Sequence, residues 1–317
     1  MSNFPRRPHT LNTRALRTRR IACENPRTGT GRREGATMQH EESSFTGVAG
    51  TKIVYDVWTP DREPTGVLVL CHGLGEHARR YDHVAARLGE LGLIVYAPDH
   101  RGHGRSGGKR VHLKEFSDFT DDVHTLFSIV TAAHPGKDKF LLGHSMGGAI
   151  ALSYALDHQA DLKALALSGP AVIIATGTPK IVMQLGKIVG KYLPDVPVEN
   201  LEAAAVSRDQ KVVDKYNADP LVHHGKVPAG IARGMITAAE GFPARLPSLT
   251  IPVLLQHGSD DRLTDPAGSK LVADLAGSSD VTLKVYDGLY HEIFNEPEQE
   301  EVLNDLVEWL RPRVTGA

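Results

Sequence analysis

The sequence predicts an α/β fold with a mostly parallel central sheet and helices on both of its faces. Short β-rich runs recur at 52–58, 67–71, 93–97, 140–142, 164–167, 253–256 and 281–286. Several are apolar without alternation, which is how strands covered on both faces read. Between them lie patterns of helical period at 81–91, 119–133, 146–156, 269–276 and 299–310. Strand alternating with helix is the pattern of a parallel sheet joined by crossover connections.

At 317 residues and 41% hydrophobic content, the chain can bury a large core in one domain, with or without an insertion. Its net charge of −2 gives no reason to expect nucleic acid or another polyanion as partner. The average conceals a basic start: residues 1–37 hold nine arginines against Glu24 and Glu34. With no sustained period, this segment is expected to be disordered. It reads as a solvated tail or as sequence upstream of initiation at Met38, with a targeting segment or anionic-surface anchor as the alternative. Cys23 and Cys71 are the two cysteines, too few for a disulfide framework and wrongly spaced for a metal site. No apolar run approaches the roughly 18 to 20 residues of a membrane span, and the start lacks the apolar stretch of a secretory signal. A soluble protein follows, cytoplasmic or peripherally associated with a membrane or the cell envelope.

One stretch breaks the rhythm. Between Ser168 and Pro252 there is no convincing strand, but Ile181, Leu185, Ile188 and Tyr192, with Val182 and Val189 beside them, form a wide apolar stripe at helical spacing. The preferred reading packs most of this stripe on the body; the alternative is a lid whose apolar face binds acyl chains or touches lipid.

The residues that carry chemistry begin with Gly143-His144-Ser145-Met146-Gly147, set between an apolar strand and a helical pattern. This is the context a G-x-S-x-G elbow requires: the chain turns sharply, side chains at the glycines would clash, and the serine hydroxyl projects from the carboxyl end of the sheet. A serine hydroxyl is a weak nucleophile, so a base must take its proton and a carboxylate must orient the base. Two later loops leave the carboxyl ends of strands. His257-Gly258-Ser259-Asp260-Asp261-Arg262 offers two carboxylates, between which spacing does not choose. Gly288-Leu289-Tyr290-His291-Glu292 offers His291 as base, leaving His257 a structural role.

Developing negative charge on the substrate needs backbone donors, one from the residue after the nucleophile and one from the loop after an early strand. Met146 supplies the first by position, and Leu74, in the glycine-rich turn Cys71-His72-Gly73-Leu74-Gly75-Glu76-His77, is the candidate for the second. Metal and nucleotide signatures are missing, with no H-E-x-x-H, Walker-type loop or dinucleotide fingerprint, so no cofactor and no metal are called for. His100 and His103 are better read as parts of a structural loop than as a metal pair.

From about Glu42 to Leu310 the chain resembles the monoacylglycerol lipase family of α/β hydrolases, in particular its mycobacterial-type members. The resemblance rests on six blocks in order: His72 to His77 followed by Arg80-Tyr81, Asp99 to Ser106, Gly143 to Gly147, Tyr216 to Pro220, Gly258 to Arg262, and Tyr290-His291. It implies the α/β-hydrolase fold and makes Asp261, the residue before the arginine, the acid of a Ser145, Asp261, His291 triad. It further implies a core formed by residues 41–170 and 244–317 behind a basic tail at 1–40, and a helical cap at 171–243 over an acyl tunnel, able to contact a lipid interface transiently.

The substrate so implied is a monoacylglycerol. A lysophospholipid or a simple carboxylic ester is the neighbouring alternative, and a non-catalytic lipid-binding module the distant one. Glu76, Arg80 and Tyr216 match family positions near the glycerol niche, though Glu76 and Arg80 could equally form a structural ion pair. Animal members carry a second histidine three residues after the catalytic one, where this chain has Phe294. Cys71 reads as an inert buried thiol.

Overall fold

A computed structural model describes residues 19–21, 38–173, 180–200 and 202–314. Its strands are β1 (Arg19–Ile21), β2 (Met38–Thr46), β3 (Lys52–Pro60), β4 (Gly66–Cys71), β5 (Leu93–Pro98), β6 (Lys139–His144), β7 (Ala164–Ser168), β8 (Pro197–Asn200), β9 (Lys226–Pro228), β10 (Val253–Gly258) and β11 (Val281–Tyr286). Its helices are α1 (Asp82–Gly89), α2 (Ser117–Ala133), α3 (Met146–His158), α4 (Lys180–Tyr192), α5 (Gln210–Ala218), α6 (Ala229–Arg245), α7 (Pro266–Leu275) and α8 (Gln299–Val314). Nine strands form one sheet in the order β1-β2-β3-β5-β4-β6-β7-β10-β11. Pairing is parallel from β5 to β11 and antiparallel at the β1, β2, β3 end, so the chain has the α/β-hydrolase architecture expected of it.

The unalternating apolar runs find their reason in the two layers around the sheet. In β4, Val67, Val69 and Cys71 join the core that includes Phe119 and Leu126 of α2 and Ile150 and Tyr154 of α3. Leu68 and Leu70, on the opposite face, join Val84 and Leu88 of α1 and Leu306 and Leu310 of α8. Successive strand residues point to opposite faces, so a strand covered on both sides must be apolar at every position. Each fully buried aliphatic side chain contributes roughly 1.5 to 3 kcal/mol relative to exposure.

The chain passes from β4 to β5 on one side and later to β6 on the other, which opens a crevice at the carboxyl ends of β4 and β6. Their register sets Cys71 opposite Gly143, and β7 sets Ser168 opposite His144. The loops that leave β4, β6, β10 and β11 therefore share one edge of the sheet.

Four expectations are corrected. Within the segment expected to be disordered, Arg19–Ile21 pair antiparallel with β2; the rest of residues 1–37 lies outside the described residues. The sheet takes in residues of the expected tail at 1–40, the core beginning at Met38 rather than residue 41: Met38 is buried against Gly89, and β2 runs in register with β3 over nine residues. Its polar sequence hid it, because a strand toward the sheet edge needs apolar side chains at few positions. The stretch between Ser168 and Pro252 contains the short antiparallel pair β8 and β9, too brief to leave a periodic signal.

The stripe on α4 is the fourth. Leu185, Ile188 and Tyr192 are 57%, 55% and 70% exposed, while Ile181 and Val182 are not among the described side chains. The helix meets α6 through buried Gly190, where a Cβ would lie 2.3 Å from Ala229 O. A small residue thus makes the close approach and leaves the larger apolar ones facing outward. Among the described residues no helix is long and apolar enough to cross a membrane.

Candidate active site

Between the end of β6 and the start of α3, Ser145 alone makes the turn, at φ 55° and ψ −121°. Such a conformation in a residue with a Cβ costs on the order of 1 to 3 kcal/mol and persists where its surroundings over-determine it. Here Ser145 N donates to Ser168 O at 3.0 Å, and Ser145 O accepts from Gly148 N at 2.9 Å and Ala171 N at 3.0 Å. A Cβ at Gly143 would lie 2.3 Å from Gly147 O, and one at Gly147 would lie 2.2 Å from Cys71 O. Backbone blocks both positions, as the elbow signature anticipates.

His291 Nδ1 lies 2.7 Å from Asp261 Oδ2, and His291 shares with Ser145 the wall of one cavity of about 200 Å³. Of the two carboxylates that spacing left open, Asp261 is buried and faces His291, whereas Asp260 is exposed. Asp261 Oδ1 accepts from the amides of Leu263 at 2.8 Å and Thr264 at 2.9 Å. Burial by itself would raise the Asp261 pKa; the charge of His291 and the hydrogen bonds from His257, His291 and Thr264 outweigh it and hold the group well below the usual carboxylate range. Burial pulls His291 down, but the charge and hydrogen bond of Asp261, helped by Glu292 and Glu76, leave its pKa above the ordinary histidine value.

The glycine-rich turn comes close to the elbow: a Cβ on Gly73 would lie 3.1 Å from Ser145 Cβ. Glu76 Oε1 accepts from Gly73 N at 2.6 Å, pinning the turn from within. His72 Nε2 accepts from His100 N at 2.9 Å, which makes Nδ1, 2.7 Å from Gly73 O, the donor. Asp99 accepts from Ala78 N at 2.8 Å and from Arg105 Nε at 2.8 Å. The block from Asp99 to Ser106 thus braces the turn, and burial pushes His103 down to about 3. Leu74 and Met146, the two residues expected to offer backbone donors, line the cavity beside Ser145.

Of the three residues expected near the alcohol end, Glu76 and Tyr216 line the cavity and Arg80 is not among its wall residues. The Arg80 guanidinium is occupied: Nη1 lies 2.7 Å from Glu76 Oε2 and 2.7 Å from Glu292 Oε1, and Nη2 lies 2.7 Å from Glu292 Oε2. It also sits 4.8 Å from the centre of the Tyr216 ring. Phe294 is buried. Val206, Val227, Ile231 and Met235, all from the segment between β7 and β10, complete much of the apolar wall.

Several contributors were not visible in the sequence. Glu292 follows the base directly, yet its partner Arg80 lies 212 positions away. Thr264 Oγ1 lies 2.8 Å from Asp261 Oδ2 and 3.2 Å from His291 Nδ1. His257, read as structural, places Nε2 3.1 Å from Asp261 Oδ2. His144, the variable position of the elbow, has its ring centre 4.7 Å from that of His291, tilted at 48° to it, and is pushed down to about 3 by burial and by His291. Cys71 is buried, which raises its pKa to about 12; Cys23 lies outside the described residues.

Residues 62–298 match the Hydrolase_4 family, described as serine aminopeptidase, S33. A monoacylglycerol lipase of Mycolicibacterium smegmatis is 55% identical over 85% of this chain and 96% of its own length. The human monoglyceride lipase is 35% identical over 82% of this chain and 87% of its own. Among solved structures, the monoacylglycerol lipase of Paleococcus ferrophilus superposes with a TM-score of 0.73 at 30% identity, covering 86% of this chain and 98% of that one.

Proposed function

The chain belongs to the Hydrolase_4 family, among its monoacylglycerol lipases, and on that premise we propose that it cleaves monoacylglycerols to glycerol and free fatty acid through an acyl-serine intermediate. His291 takes the proton of Ser145 as the hydroxyl oxygen attacks the ester carbonyl carbon. The carbonyl oxygen becomes an oxyanion facing the backbone N–H groups of Leu74 and Met146. Collapse breaks the bond to the glyceryl oxygen, which receives the proton from His291. Water then enters, gives a proton to His291 and attacks the acyl carbon; as the bond to the Ser145 oxygen breaks, His291 returns that proton to it, freeing the fatty acid and the Ser145 hydroxyl. Asp261 stays ionised throughout, orienting the imidazole and stabilising its cation. No cofactor enters these steps.

The observation that carries this reading is the 2.7 Å contact between Asp261 and His291 in a cavity that also receives Ser145 from a strained elbow. The apolar walls suit an acyl chain, and residues 171–243 act as the cap that supplies them. The outward apolar face of α4 docks on the lipid interface from which such a substrate is drawn. The test is a panel of mono-, di- and triacylglycerols and a lysophospholipid of one acyl chain, with fluorophosphonate labelling of the wild type and of Ser145→Ala. Preference for the monoacylglycerol and loss of labelling in the variant are expected. Preference for the lysophospholipid would overturn the substrate assignment.

A further inference from the structure

Asp261 faces two imidazoles. Its Oδ2 lies 2.7 Å from His291 Nδ1 and 3.1 Å from His257 Nε2. His257 stands near the end of β10 and is completely buried. An ionised carboxylate only accepts, so the second contact requires a proton on His257 Nε2. Thr264 O, 3.3 Å from the same nitrogen, calls for the same proton. At the other ring nitrogen, Nδ1 lies 2.7 Å from Oγ of Ser269, a residue of α7 that is also completely buried. In a neutral ring protonated at Nε2, Nδ1 accepts, so the Ser269 hydroxyl donates to it and fixes the tautomer. Ser269, His257 and Asp261 thus repeat the catalytic order of hydroxyl, imidazole and carboxylate, but turned inward: neither Ser269 nor His257 is among the wall residues of the cavity.

We propose that His257 is a positioning residue: held by Ser269, it donates to Asp261 Oδ2, fixing the carboxylate at the angle His291 needs and drawing off part of the negative charge that His291 meets. The proposal rests on the triad reading above and deepens it. The amides of Leu263 and Thr264 hold the other carboxylate oxygen, Oδ1, at 2.8 and 2.9 Å. His257 acts on the oxygen that His291 itself uses. A carboxylate oxygen already engaged by one N–H stabilises a neighbouring imidazolium less. His257 therefore improves the aim of His291 while weakening it as a base. Beside Asp261, the titratable groups that face His291 are Glu76, Glu292 and His144, with Arg80 bound to both glutamates. All of them stay in place when His257 is changed.

The test uses the full chain, the variants His257→Leu and His257→Gln, and the ethyl ester of a short acyl chain. Glutamine can offer an amide N–H where leucine offers none. In His257→Leu, kcat is expected to fall about tenfold with KM within about twofold, and the acidic limb of kcat/KM to move to higher pH. In His257→Gln, kcat should return to within about threefold of the wild type and the limb to its place. Damage to packing alone would lower kcat in both variants and leave the limb where it is. NMR of the wild type with 15N-labelled histidine keeps the test open even if His257→Leu fails to fold. There Nε2 of His257, identified by the signal missing from His257→Gln, is expected to carry a proton. A bare Nε2 would overturn the proposal, as would a folded His257→Leu with the wild-type kcat and pH profile, or a His257→Gln no better than His257→Leu. Full activity in Ser145→Ala would overturn the triad reading itself, and the proposal with it.

Discussion

The His77 imidazole and the Asp219 carboxylate meet at 2.8 Å, tying the turn that carries Leu74 to the segment inserted between β7 and β10. A second tie lies beside it, from His223 N to Gly75 O at 2.7 Å. The proposed oxyanion donor is therefore positioned partly by the segment that walls the cavity, although no residue of that segment takes part in bond making.

This coupling predicts that His77→Ala and Asp219→Ala each lower kcat by about tenfold. That is less than the 10²- to 10³-fold loss typical when an oxyanion donor is removed outright, because the amide would be misplaced and not deleted. The double variant should be no worse than either single one, since both break the same contact. Steady-state kinetics on a soluble ester checks this, and fully additive losses would show that the two residues act separately.

Asp260 and Asp261 are neighbours in one loop with opposite expected outcomes. Asp261→Asn should cut kcat by about 10⁴, the scale on which the wrong imidazole tautomer disables such triads. Asp260→Asn, altering an exposed side chain, should stay within about twofold. Thermal unfolding alongside the kinetics separates lost chemistry from lost fold.

That pair also marks what the sequence could and could not convey. The elbow was legible because its demands are local: an apolar strand, two glycines blocked by backbone and a helix all lie within a few residues of Ser145. The unalternating runs of β4 and β6 were legible because two-sided burial constrains every position. Asp260 and Asp261 were not separable by spacing, since what divides them is burial against His291, thirty positions away from Asp261. The tie between Arg80 and Glu292 joins residues whose nearness exists only after folding. The α4 stripe misled for another reason: apolar periodicity reports a helix face but not what covers it, and Gly190 took the packing position.

The pH dependence follows from His291. The base must be neutral to accept the Ser145 proton, so kcat/KM should fall as pH drops through the His291 pKa. Asp261 outweighs burial and lifts that pKa above the ordinary value, which places the midpoint of the acidic limb above about 6.5. Glu292 and Glu76 act in the same direction, so Glu292→Gln should move the midpoint toward lower pH. A pH profile of kcat/KM on the ethyl ester, which has no free hydroxyl to involve the alcohol niche, reads the shift; a move toward higher pH would contradict this electrostatic account.

The exposed face of α4 gives the last prediction. Leu185, Ile188 and Tyr192 project outward from a helix held to α6 through Gly190, and the solvent-facing chain continues into Leu193, Val196 and Val198. Full burial of a large apolar side chain is worth roughly 1.5 to 3 kcal/mol. Partial insertion of three at a lipid surface, at about 1 kcal/mol each, would then supply about 3 kcal/mol, near a hundredfold in partition. The triple variant Leu185→Ser, Ile188→Ser, Tyr192→Ser should therefore bind phosphatidylcholine vesicles about a hundredfold more weakly in a sedimentation assay. Its hydrolysis of dispersed long-chain monoacylglycerol should fall in parallel. Turnover of a soluble short-chain ester should stay at the wild-type rate, because none of the three side chains lines the cavity. Unchanged vesicle binding would mean that this face meets something other than lipid.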